Sequence, residues 1–91
     1  MLARRNGLGH PRLGLVVGKK SVRGAVRRNR VKRVVRESFR RHQPLLDSLD
    51  VVFLARRGFD ELEAAEQRNL LAEAWHHLAR RLQRAGREGE A

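Results

Sequence analysis

The positions Val31, Val34, Val35, Ser38, Phe39 and His42 recur at i, i+3, i+4, i+7, i+8 and i+11, the rhythm of a single helix face. The same stretch is crowded with cations. From Lys19 to Arg41 there are eleven Lys and Arg residues against one acid, Glu37, so this segment carries +10 of the chain's formal +11. At about 100° per residue, Arg30, Lys32, Arg33, Arg36 and Arg40 fall on the arc opposite the valines. A solvated helix face ordinarily interleaves acids at i+4, and only Glu37 is available here. Such a helix needs a core for one side and a polyanion for the other.

The flanking segments supply that core. Arg12 to Gly18 alternates, with Leu13, Leu15 and Val17 on one face, which predicts a strand closed by Lys19 and Lys20. Residues 1–11 open with a short segment that can pair as an edge strand, followed by the turn chemistry of Asn6-Gly7 and Gly9-His10-Pro11. The basic helix is expected to end before Pro44. Asp50 to Ala55 is a short apolar run bounded by Arg56-Arg57-Gly58, and reads as the central strand. A last helix is expected from Asp60 as N-cap, with Glu63 three residues on completing a capping box, and a buried stripe of Leu71, Ala74, Trp75, Leu78 and Leu82. Glu61, Glu63 and Glu66 crowd its start and Arg80, Arg81 and Arg84 its end, matching the helix dipole, with Gly86 as the stop and residues 87–91 as a frayed tail.

Strand, helix, strand, helix predicts an α/β sandwich of two layers, a small sheet with helices, in a single domain spanning 1–86. A helical crossover leaves the strands at 12–18 and 50–56 parallel. Their C-terminal ends then share an edge, gathering Lys19, Lys20, Arg56, Arg57 and the start of the basic helix into one electropositive surface.

Other chemistries are poorly served. The chain has 91 residues and no cysteine, so one thin-cored domain without disulfides or thiolate metal sites is expected. The apolar run Leu13 to Val17 is broken by Gly14 and too short for a signal sequence or membrane span, which makes a cytoplasmic protein the default. Phe39, Phe53 and Trp75 sit in core patterns, leaving only Phe59 open as a stacking platform, against a single-strand reader built on exposed aromatics. His10, His42, His76 and His77 lack zinc spacing, and the acids Asp47, Asp50 and Asp60 to Glu66 are not grouped for two metals. There is no P-loop, nucleophile elbow or dinucleotide fingerprint.

The most specific string is Arg28-Asn29-Arg30-Val31-Lys32-Arg33, continuing to Arg36-Glu37-Ser38-Phe39-Arg40. Asn29, between two arginines, can donate and accept, so it suits a base edge, a 2′-OH or a metal-bound water; from local sequence alone a capping or solvent-facing role is the favoured reading. With Lys19-Lys20 before it and the Asp50 to Arg57 strand after it, this order resembles the protein component of bacterial ribonuclease P over residues 3–83.

That resemblance implies a protein that binds the catalytic RNA subunit and precursor tRNA, while the RNA and its Mg²⁺ ions cut away the tRNA 5′ leader. It implies a left-handed βαβ crossover, no membrane and no obligate protein partner. The residues expected to meet RNA are Lys19, Lys20, Arg27, Arg28, Asn29, Arg30, Lys32, Arg33, Arg36, Arg40, Arg56 and Arg57. Against the family, the chain starts inside a later strand, without the family's N-terminal helix and first strand, so either the true start lies upstream or the protein is a shortened form, and the helix's share of the leader cleft is expected to be missing from these residues. The competing expectation is a basic scaffold for structured RNA, such as a ribosome-associated protein.

Overall fold

The computed structural model describes residues 1–82 in full and, for the last helix, the course of the backbone to Glu90. In chain order the elements are β1 (Leu2–Arg5), β2 (Arg12–Val16), α1 (Ala25–Arg41), α2 (Gln43–Leu46), β3 (Leu49–Leu54), a 3-10 turn (Phe59–Glu61) and α3 (Ala64–Glu90). The expected stop at Gly86 is not found, since the backbone of α3 continues past it to Glu90; the side chain of Arg84 lies outside the described residues.

β3 occupies the middle of a three-stranded sheet, in the order β1-β3-β2. It pairs antiparallel with β1, Leu2 facing Val52 and Arg5 facing Leu49, and parallel with β2, Arg12 facing Asp50 and Val16 facing Leu54. Both strand predictions and the parallel crossover therefore hold. Alternation then divides the sheet into two faces. Leu49, Val51 and Phe53 are buried, joined by the half-buried Ala3, Leu13 and Leu15. Leu2, Val16 and Leu54 point the other way and are exposed, and Arg4 and Arg12 both reach Asp50 on that side, at 3.6 and 2.7 Å.

The helices close the buried face. α1 contributes Val31, Val35, Ser38 and Phe39, as its periodicity requires, while Val34 is only half-buried. α3 contributes Leu71, Trp75, Leu78 and Ala79. Trp75 is fully buried between them, its Nε1–H donating to Ser38 Oγ at 2.8 Å and its ring meeting Phe39 edge-on at 5.9 Å. This bond explains a serine in the core stripe of α1: it satisfies the indole donor that burial would otherwise strand.

Two local expectations change. α1 does stop ahead of Pro44, but Pro44 then starts α2 in its first turn, where a missing N–H costs nothing. Asp60 is not a helix N-cap. Leu62 is extended, with φ −69° and ψ 149°, so α3 begins only at Ala64 and Asp60 sits in the preceding 3-10 turn. Its carboxylate is taken instead by Arg27 of α1, at 2.8 Å.

Candidate nucleic-acid interface

Parallel pairing sends β2 and β3 out of the sheet at the same edge, and the two exits are built differently. After β2, the amides of Ser21 and Val22 both donate to the Gly18 carbonyl, at 3.1 and 3.0 Å, folding Lys19 and Lys20 into an exposed turn. Val22 is fully buried and anchors this turn to the core. Gly24, at φ +83°, then redirects the chain into α1.

After β3, one more rung, Ala55 N–H to Val16 carbonyl at 3.0 Å, prolongs the ladder before Arg56 and Arg57 emerge. Gly58 adopts the left-handed region at φ +94°, which only glycine enters cheaply. Phe59 then folds back onto Phe53, ring centroids 5.5 Å apart, and its carbonyl accepts from Gln67 Nε2 at 2.9 Å. Phe59 is thus held against the core at its edge. The Arg27–Asp60 pair, with Asp60 largely shielded, ties the first turn of α1 to this second exit. Lys19, Lys20, Arg56, Arg57 and the start of α1 are brought to one end of the molecule, as the crossover predicted.

Within α1 the expected contact residues separate into groups. Asn29, Arg33, Arg36 and Arg40 are exposed on the arc opposite Val31 and Val35, projecting from a helix fixed along its whole inner side. Lys32 is half-buried on one flank. Arg30, expected on the outward arc, lies on the other flank beside Arg27, Asp60 and Gln67, because it stands only 100° from Val31. Arg28 turns inward, donating from Nη1 to the Val22 carbonyl at 3.2 Å. Arg27 and Arg28 are therefore engaged in holding α1 to its neighbours. Of the expected contact residues, only Arg27 is in an ion pair among the described residues.

A second polar cluster escaped the sequence reading. Asn6 donates to Asp50 at 2.9 Å and to the His10 carbonyl at 3.1 Å, and Gly9 N–H donates to Ser48 Oγ at 2.9 Å, pinning the 6–11 loop to β3. Arg12 binds Asp50 through Nε and Nη2, both at 2.7 Å. Hydrogen bonds from Arg12, then Asn6, hold the Asp50 carboxyl well below the usual carboxylate range. It is a fixed structural anion. The signal was present as alternate residues on paired strands, but only knowledge of the register makes Arg4, Asp50 and Arg12 neighbours.

Fold and surface together define a class: a small α/β protein with a rigid cationic helix and further cations at that helix's N-terminal end, a surface with the charge complementary to a polyanion. Comparison with known proteins agrees. The family model for ribonuclease P matches residues 1–79. A ribonuclease P protein component from Pseudomonas putida is 56% identical over 80 residues, covering 88% of this chain and 60% of that protein. One from Pseudomonas aeruginosa is 54% identical over 80 residues, covering 88% and 59%. Among solved structures, the RNase P protein of Thermotoga maritima in complex with 1-(4-fluorophenyl)-2-thiourea superposes with a TM-score of 0.73 at 35% identity, covering 81% of this chain and 73% of that one. A Staphylococcus aureus RNase P protein mutant with defective mRNA degradation activity gives 0.72 at 30% identity, covering 86% and 65%.

The chain belongs to the ribonuclease P protein family. It spans about 60% of the length of the curated relatives it matches. No helix among the described residues is long and apolar enough to cross a membrane.

Proposed function

We propose that the chain serves as the protein subunit of ribonuclease P, binding the catalytic RNA subunit and precursor tRNA in the cytoplasm so that the 5′ leader is removed. The observation that carries this reading is the outward arc Asn29, Arg33, Arg36 and Arg40, a row of uncompensated donors on a helix immobilised by its core face, in a chain of this family. Phosphates bound there gain charge-assisted hydrogen bonds without an ordering cost for the helix itself. Lys19, Lys20, Arg56 and Arg57 extend the surface around the sheet edge, toward a second RNA segment such as the substrate.

The protein's contribution is electrostatic and positional. Two large RNAs repel each other, and a cationic wedge between them lowers the Mg²⁺ concentration at which they associate. Mg²⁺ is then held by the RNA subunit and substrate. Nothing in the site calls for a nucleophile or general base: the buried-edge acids Asp50 and Asp60 are occupied by arginines.

The test is reconstitution with a bacterial ribonuclease P RNA at low Mg²⁺, following cleavage of precursor tRNA. Stimulated cleavage at the mature 5′ end is expected. RNA binding without stimulation would place the chain among non-catalytic scaffolds instead.

A further inference from the structure

α1 and α3 meet closely at Ser38 and Trp75, yet beside that contact they part. Val34 of α1 and Ala72 of α3 form a low floor, and a cleft of about 270 Å³ opens between the helices. Glu37 and Arg41 stand on the α1 wall, Arg68 and Asn69 on the α3 wall. All four are exposed, and none takes part in a hydrogen bond through its side chain or an ion pair among the described residues. At one end His42 and His76 meet edge-on, ring centroids 6.0 Å apart.

We propose that this cleft is a second RNA-binding track, separate from the outward arc of α1, which takes one phosphodiester unit of an unpaired strand. Two guanidinium groups from different helices line a single recess with one carboxylate, Glu37, leaving an excess positive charge that a phosphate shared between the arginines would neutralise. Glu37 opposes a bare anion but suits the neighbouring ribose, whose 2′-OH donates to a carboxylate. DNA offers no such donor. Val34 and Ala72 provide apolar floor for the carbon edge of the sugar, and the Asn69 amide can serve either phosphate or base. An acidic peptide would satisfy the arginines while setting its carboxylates against Glu37, so RNA is the better match.

This inference rests on the reading of the chain as an RNA-binding protein, and the experiment separates the two. The probes are a labelled oligouridylate of about twenty nucleotides, its deoxyuridine counterpart and polyglutamate, titrated with the full chain. Arg41→Ala with Arg68→Ala is expected to weaken oligouridylate binding on the order of tenfold. It should also flatten the log affinity versus log salt slope by about 0.7, the value for one phosphate contact on a single strand. Glu37→Gln should reduce the preference for oligouridylate over the deoxy probe. Unchanged melting confirms that these exposed substitutions leave the fold intact.

Parent-like binding by the Arg41/Arg68 variant, with Lys32→Ala/Arg33→Ala still weakened, overturns the cleft and leaves the proposed function standing. Failure of the parent to bind oligouridylate overturns the cleft alone, whereas failure in the reconstitution assay overturns the proposed function. Equal loss of polyglutamate and RNA binding in the Arg41/Arg68 variant, or a ribose preference indifferent to Glu37→Gln, overturns the assignment to RNA.

Discussion

Ser38→Ala removes the acceptor that, among the described residues, takes the Trp75 indole N–H, a 2.8 Å hydrogen bond between a fully buried tryptophan and a serine that is 8% exposed. The methyl of alanine fills nearly the same space, so cavity formation is minor and the cost is that of a stranded donor, about 1 to 3 kcal/mol. Alanine is the better helix former by about 0.5 kcal/mol, which offsets part of that. The net expectation is a loss of about 1 to 2 kcal/mol, which at about 4 to 8 °C per kcal/mol for a domain of this size lowers Tm by roughly 5 to 15 °C. Trp75 is the sole tryptophan, so urea unfolding followed by its fluorescence reports the bond directly. Trp75→Phe deletes the donor, and by far-ultraviolet circular dichroism the double variant should then lose less than the sum of the two single losses. A Ser38→Ala protein as stable as the parent, or strict additivity with Trp75→Phe, would refute the view that this bond joins α1 to α3 energetically.

Arg33→Ala with Arg36→Ala should weaken binding of the ribonuclease P RNA and reduce the salt slope by about 1 per lost phosphate contact, with Tm unchanged; a filter-binding titration across salt concentrations checks both. Asp50→Asn should blunt acid sensitivity: the folded carboxyl titrates well below its unfolded value of about 3.9, so its stabilisation is complete above that pH and is lost progressively as pH falls from there toward the depressed folded value, and the gap between parent and variant melting temperatures should narrow steadily below about pH 4. Gly58→Ala meets no atom within 4 Å but must hold φ +94°, so a loss of about 1 to 2 kcal/mol is expected from backbone strain alone, measurable by thermal unfolding.

The elements that the sequence foretold are those set by local period. α1 and the Leu71 to Leu82 stripe of α3 repeat with the helix turn, and Asp50 to Ala55 is a continuous apolar run, so each could be placed without knowing its neighbours. The start of α3 was misjudged because a capping box is also a local pattern, and here a tertiary partner outbid it. Arg27, about one turn before Val31 opens the buried stripe, reaches across to Asp60 and fixes that acid one turn ahead of α3. Asp50 illustrates the same limit on the sheet, since its partners Arg4, Asn6 and Arg12 arrive from about forty residues away.

The cationic surface is where this distinction matters most. Formal charge counts Arg27, Arg28, Arg33 and Arg36 alike, but a side chain within 60° of the core stripe is within reach of backbone carbonyls and neighbouring acids, whereas one at 140° or more is not. Arg28 consequently spends a donor on the Val22 carbonyl and Arg27 its charge on Asp60, while Arg33 and Arg36 keep all five N–H groups for a ligand. On the proposed function, the two inward arginines would matter to RNA indirectly, by holding the first turns of α1 in register with the Lys19 turn and the Arg56-Arg57 exit. Substituting them should therefore disturb the arrangement of the surface as well as its charge, and a loss of RNA affinity accompanied by a lower Tm would distinguish that role from the charge-only effect at Arg33 and Arg36.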